Sequence, residues 1–156
     1  MEAWAQPLAW LKVFGAAVLQ TMVETGRNLQ PGLQKCLLVM VGGSLGAASR
    51  YGVSLVAARF WGSHFAWGTL AVNLVGCFLI GLLFALSDRA RFLTPDLRLF
   101  LVTGYLGALT TFSTFALETV NAGRLGLTVQ PLANILANNV GGLALVVLGM
   151  RVGGLR

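Results

Sequence analysis

The sequence predicts an all-α membrane protein: four transmembrane helices, the third of them broken, with an extra amphipathic segment ahead of the first. Three observations carry that reading. Of 156 residues, 56% are hydrophobic and only 10% charged, where a soluble domain has about 25% charged. The mean hydropathy is +0.78, so most of the surface must face lipid. Four apolar runs reach the roughly 20 residues that a spanning helix needs. Basic residues gather at the ends of those runs, where membrane proteins keep them. The net charge of +6 therefore marks helix ends and implies no nucleic acid. Cys36 and Cys77 each lie in an apolar run, a usage that makes neither a disulfide framework nor a metal site. The single His64 falls in a short polar connection and reads as a surface residue.

Residues 1–34 stand apart from a four-helix domain at 35–156. The stretch PLAWLKVFGAAVLQTMVE, Pro7 to Glu24, is apolar but interrupted by Lys12, and it is too short to span. It lacks the basic start and small-residue cleavage site of a signal peptide. Two readings stand: an interfacial amphipathic helix followed by the loop GRNLQPGLQ, or a poorly ordered extension. The first spanning helix is expected from Cys36 to Ala58, the second from Phe65 to Leu86, the third from Leu97 to Val120 and the fourth from Pro131 to Arg151. Trp61 and Trp67 bracket the first connection, where amphipathic rings favour the interface. SDRARFLTPD and NAGRLGLTVQ leave room for little beyond turns, so successive helices must run antiparallel.

Orientation follows from the basic residues. Lys35, Arg89, Arg91, Arg98, Arg151 and Arg156 fall on the side of the first helix's start, against Arg59 and Arg124 on the other. That bias predicts cytoplasmic termini.

Each polar group within a span needs a reason, because lipid offers it no partner. Gly42, Gly46 and Arg50 follow one another at four-residue spacing on the first helix. A GxxxG pair admits a neighbouring helix, while Arg50 either snorkels to the interface or serves a structural or vestibule role. Asn73 stands in GTLAVNLVG, one turn after Thr69, and Gln130, Asn134 and Asn138 make a polar stripe on the fourth helix, with Asn139 on the next face. Such amides glue helices together or line a wet path. Polar stripes on two of four helices favour the path.

The stretch GYLGALTTFSTF, Gly104 to Phe115, carries most. Gly104 and Gly107 weaken a helix, and Thr110 and Thr111 can bond back to its backbone. A break here frees carbonyls, which must be buried in protein or coordinate something. Oxygen ligands of that kind suit a hard cation. Phe112 and Phe115 then share a face at i, i+3, and ring edges are electropositive, so they can meet an anion without trapping it. Thr111, Thr114 and Glu118 lay hydroxyls and a carboxylate alongside. A packing kink with core phenylalanines is the competing account.

GGSLGAASRYG (Gly42 to Gly52), GTLAVNLVGCFLIG (Gly68 to Gly81) and GYLGALTTFSTFALE (Gly104 to Glu118) resemble, in order, the motifs of the Fluc, or CrcB, fluoride channels. The resemblance runs from about Val41 to the C-terminus and leaves the N-terminal extension outside. It implies an antiparallel dimer of four-helix subunits that passes fluoride outward through the bacterial inner membrane, passively and without catalysis. It also implies a structural sodium ion on the dimer axis, held by backbone carbonyls at the positions of Gly107 and Thr110. Asn73, Phe112 and Phe115 match the family's pore asparagine and phenylalanines, and Thr111, Ser113 and Thr114 its polar track. Arg50 and Glu118 fall on its arginine and glutamate, in the pore or vestibule. Asn134 and Asn138 are pore candidates from spacing alone. An antiparallel partner that is a second copy requires insertion both ways, whereas the charge bias favours one fixed orientation and so an oppositely oriented paralogue; both partners stand as readings. Two other functions remain: a small proton-coupled cation or drug antiporter using Glu118, and an assembly protein whose polar residues only join helices.

Overall fold

The computed structural model describes residues 31–62, 64–90 and 93–154, together with Gln20. The amphipathic segment expected within residues 1–34 thus lies outside the described residues, except for Gln20 and 31–34. Those last four are helical and begin α1, Pro31–Trp61, so the helix starts inside the stretch expected to be a loop. Pro31 opens it, a position where the missing N–H costs nothing because it would have no intrahelical partner. α1 ends at Gly62, whose φ of 71° is the left-handed conformation that stops helices. Its N–H closes on the Ala58 carbonyl at 3.1 Å.

α2 is Trp67–Ala90. α3 covers residues 95–109, with Pro95 in its first turn and the Thr94 side chain capping the Leu97 N–H. Its middle, Leu99–Leu106, widens into π-type turns. α4 is Phe112–Arg124. α5 runs Val129–Gly154 with a second widening at Ala137–Gly141. These elements make four spans long and apolar enough to cross a membrane: Pro31–Trp61, Trp67–Ser87, Pro95–Arg124 and Val129–Gly154. No strand occurs among the described residues.

Lipid gives helices no hydrophobic reason to associate, so close backbone approach through small residues takes over. Two seams show it. Between α2 and α5 the contact is reciprocal: a Cβ on Gly81 would overlap the Val146 carbonyl, and one on Gly149 would overlap that of Phe78. Between α1 and α3, a Cβ on Gly42 or Gly46 would overlap the carbonyl of Phe100 or Tyr105, and one on Gly104 would come within 2.9 Å of Val39 O. The glycine pair of the first helix is therefore a seat for α3. Gly46→Ala should lower stability by about 1–3 kcal/mol, the usual cost of overpacking, because a backbone carbonyl cannot swing aside. Thermal unfolding in detergent, followed by size-exclusion, checks this; an unchanged midpoint would contradict it.

Between α3 and α4 the chain leaves helical geometry for two residues. Thr110 (φ −82°, ψ 154°) and Thr111 (φ −152°, ψ 121°) are extended. Thr110 lodges its methyl group against Gly76 of α2, where a Cβ would collide with it. Buried Val72, Leu106 and Leu109 form the small apolar core beside this point.

Candidate functional site

Asn73 faces the interruption and acts on it as a neighbouring strand would. Its Oδ1 accepts the Thr111 N–H at 2.9 Å, and its Nδ2 donates to the Thr111 carbonyl at 3.2 Å. In an unbroken helix the Thr111 N–H would bond to the Gly107 carbonyl, four residues back. The Thr114 N–H would likewise bond to that of Thr110, but it donates to Thr111 Oγ1 at 3.3 Å. The carbonyls of Gly107 and Thr110 thus lose their intrahelical donors. Gly107 is exposed on the surface of the chain. Freed carbonyl oxygens at such a surface are a fitting donor set for a hard cation such as sodium.

A chain of amides continues from Asn73. Its second N–H donates to Asn138 Oδ1 at 2.8 Å. Asn138 Nδ2 donates to the carbonyl and to the side-chain oxygen of Asn134, at 3.0 and 2.9 Å. Asn134, 3% exposed, donates to Thr119 Oγ1 at 2.8 Å, and Thr119 donates to the Phe115 carbonyl at 2.7 Å. The four-residue spacing of Asn134 and Asn138 therefore makes one bonded ladder. Thr119 had no mark in the sequence beyond its spacing of four from Phe115.

Two cavities lie along this ladder, and a third adjoins one of them. The middle one, about 340 Å³, is lined by Asn73, Gly76, Thr110, Thr111, Phe112, Phe115, Asn138 and Asn139, among others. Phe112 and Phe115 meet there with ring centroids 5.5 Å apart and planes at 56°. Phe115 is buried at 7% exposure while Phe112, at 76%, projects from the chain. The N-terminus of α4, with its partial positive charge, opens at Phe112. A smaller cavity of about 130 Å³ shares Ile80 and Val102 with the middle one and reaches Ser87 and Arg98 at the end of the bundle.

The other cavity on the ladder, about 340 Å³, lies at the opposite end and contains Thr69, Glu118, Thr119, Gln130, Asn134 and the exposed His64. Glu118 Oε1 accepts from Thr69 Oγ1 at 3.0 Å, and its Oε2 is buried without a partner. Thr69 is 4% exposed.

The structure thus brings Asn73, Thr111, Phe112, Phe115 and Asn138 together and places Asn134 and Glu118 at one mouth. Ser113 and Thr114 are exposed and line none of the three cavities, although both hydroxyls lie within 3.3 Å of Thr111 Oγ1. Arg50 is half-buried on α1 and also lines none of them.

Comparison with known proteins gives the family. A family profile described as "CrcB-like protein, Camphor Resistance (CrcB)" matches residues 37–150. A Salinibacter ruber protein named "Fluoride-specific ion channel FluC" is 50% identical over 117 residues, covering 74% of this chain and 86% of the relative. A Legionella pneumophila (strain Paris) protein of the same name is 48% identical, covering 74% and 87%. One from Aeromonas salmonicida is 42% identical, covering 77% and 96%. On the profile match and these identities, the chain belongs to the CrcB-like family.

Proposed function

We propose that the protein is a fluoride-specific ion channel that lets fluoride leave the cytoplasm passively. The observation that carries this is the middle cavity, where a fixed polar ladder and two phenyl rings line one space within spans that must lie in lipid. Fluoride holds water tightly, so a pore must replace that water with donors yet release the ion again. Ring edges and neutral amides offer attraction without the deep well that a fixed cation would make. The names of relatives across most of their length point to the same ion.

Asn73, Phe112, Phe115, Thr111, Ser113 and Thr114 are the pore candidates. Glu118, Asn134 and Asn138 belong to the file that leads to the outer mouth, and Arg50, half-buried on α1 outside the cavities, is a vestibule candidate. Arg98 offers positive charge at the other mouth. With cytoplasmic termini, that mouth is the one that meets intracellular fluoride.

A single subunit leaves Phe112 bare, along with Leu143 at 71% and Val129 at 75% exposure. An antiparallel partner in the inner membrane, a second copy or an oppositely oriented paralogue, would cover part of this surface. The Gly107 and Thr110 carbonyls would then hold a structural sodium ion where the subunits meet. An ion held by these carbonyls would supply the positive charge that they lack and would not itself be transported.

The test is rescue of a bacterial strain made fluoride-sensitive by loss of its own exporter. The intact chain should restore growth in fluoride, if need be with an oppositely inserted partner. Phe112→Ile and Phe115→Ile should remove most of the rescue while both proteins still reach the membrane. Growth that is indifferent to fluoride would favour an assembly protein, and rescue against a toxic organic cation would favour the antiporter.

A further inference from the structure

We infer that Thr119 is a positioning residue of the pore. Its hydroxyl closes a ring of hydrogen bonds that holds the first turn of α4, and with it the Phe115 side chain, against α2 and α5. The inference deepens the fluoride reading and rests on it for the effect on flux.

The ladder of amides has a direction. An amide side chain offers two N–H donors and one carbonyl oxygen, and a hydroxyl offers one hydrogen. Amide orientation is normally an assignment, but backbone partners fix it here. The Thr111 N–H sets Asn73 Oδ1, and the Asn134 carbonyl sets Asn138 Nδ2. Asn73 therefore donates to Asn138 Oδ1, and Asn138 to Asn134 Oδ1. That leaves Asn134 Nδ2 facing Thr119, whose Oγ1 accepts at 2.8 Å and sends its single hydrogen to the Phe115 carbonyl at 2.7 Å. Every donor points the same way along the series, so each bond polarises the next.

The two ends of the series lie on one turn of backbone. It starts at the Thr111 N–H, at the cap of α4, and ends at the Phe115 carbonyl four residues later. Between them the Thr114 N–H is taken by Thr111 Oγ1. The turn that carries both phenyl rings is thus held at its start by α2 and at its end, through Thr119, by α5.

A threonine inside a helix often bonds back to the carbonyl four residues earlier and does nothing more. Thr119 differs because its oxygen also takes the N–H of Asn134, a residue 3% exposed. Asn134 Nδ2 has no other partner among the described residues. Removing the hydroxyl strands that donor, and a buried unpaired donor is costly. Asn134 must then turn towards another acceptor, which withdraws its Oδ1 from Asn138 and loosens the series back to Asn73. Phe115 and its contact with Phe112, 5.5 Å between centroids, lie inside the ring that opens.

The test uses the intact assembled protein and its Thr119→Val, Thr119→Ala and Thr119→Ser variants. Val keeps the shape and loses the hydroxyl, whereas Ser keeps the hydroxyl. Two quantities are read: fluoride efflux from liposomes, and the fluorine NMR signal of para-fluorophenylalanine placed at Phe115. Val should slow efflux by about tenfold, as a stranded buried donor implies, and should shift or broaden the Phe115 signal. Ser should restore most of the efflux and return the signal. Ala, which removes the same hydroxyl with less bulk, should behave as Val and decides the matter if Val does not assemble. Unchanged efflux, an unmoved Phe115 signal, or a Ser variant as slow as Val overturns the inference. Failure of both Val and Ala to assemble would make Thr119 a residue of the fold alone and would overturn it as well. Absence of fluoride efflux from the intact chain, with or without a partner, instead removes the fluoride reading, while the Phe115 signal still tests the ring of bonds.

Discussion

Asn73→Ala should reduce fluoride efflux by about a hundredfold, because it removes two bonds that hold Thr111 out of the helix, each worth roughly 0.6–1.7 kcal/mol in a membrane, and tenfold corresponds to about 1.4 kcal/mol. Without Asn73 the Thr111 N–H has an alternative partner four residues back, the Gly107 carbonyl. The helix can then close across the interruption. Closure withdraws Gly107 O from any cation and turns Phe112 and Phe115 relative to α2 and α5. Flux and the proposed sodium site should therefore fail together. Efflux measured beside sodium-dependent dimer stability checks this. A variant that keeps its flux would show that Asn73 does not hold the break.

Gly76→Ala should be nearly as damaging, and for a different reason. A Cβ there collides with the Thr110 methyl group, and Thr110 cannot swing it away without breaking its bond to Leu106 O. Overpacking of this kind costs about 1–3 kcal/mol, and here the strain falls on the two extended residues. The remedy is specific: Thr110→Ser removes the methyl group and keeps the hydroxyl. The double variant Gly76→Ala with Thr110→Ser should regain most of the efflux that Gly76→Ala loses. No recovery would mean that the glycine matters for something other than room for Thr110.

Much of this molecule is legible in its sequence, and the limits have physical causes. The four spans show because lipid demands long apolar runs; their ends move by a few residues, as at Pro31, because polar residues can continue a helix beyond the hydrocarbon. Asn73 stands out as an amide in an apolar run, but its hold on Thr111 joins residues 38 positions apart, which no local pattern reveals. Asn134 and Asn138 share a face by spacing, and the structure bonds them into one ladder. Gly76 looks like any other small residue until the Thr110 methyl group is seen against it. The resemblance places Ser113 and Thr114 on a polar track with Thr111, yet of the three only Thr111 lines the middle cavity; the other two are exposed in the first turn of α4, with their hydroxyls on Thr111 Oγ1.

The central claim is that this chain passes fluoride and excludes chloride, and purified protein in liposomes tests it most directly. Vesicles loaded with fluoride or with chloride would be diluted into ion-free medium and followed with ion-selective electrodes, with an oppositely inserted partner supplied if the chain assembles only with one. The account predicts rapid loss of fluoride while chloride stays inside. Fluoride retained by vesicles that hold the assembled protein, or chloride lost as fast, would contradict it.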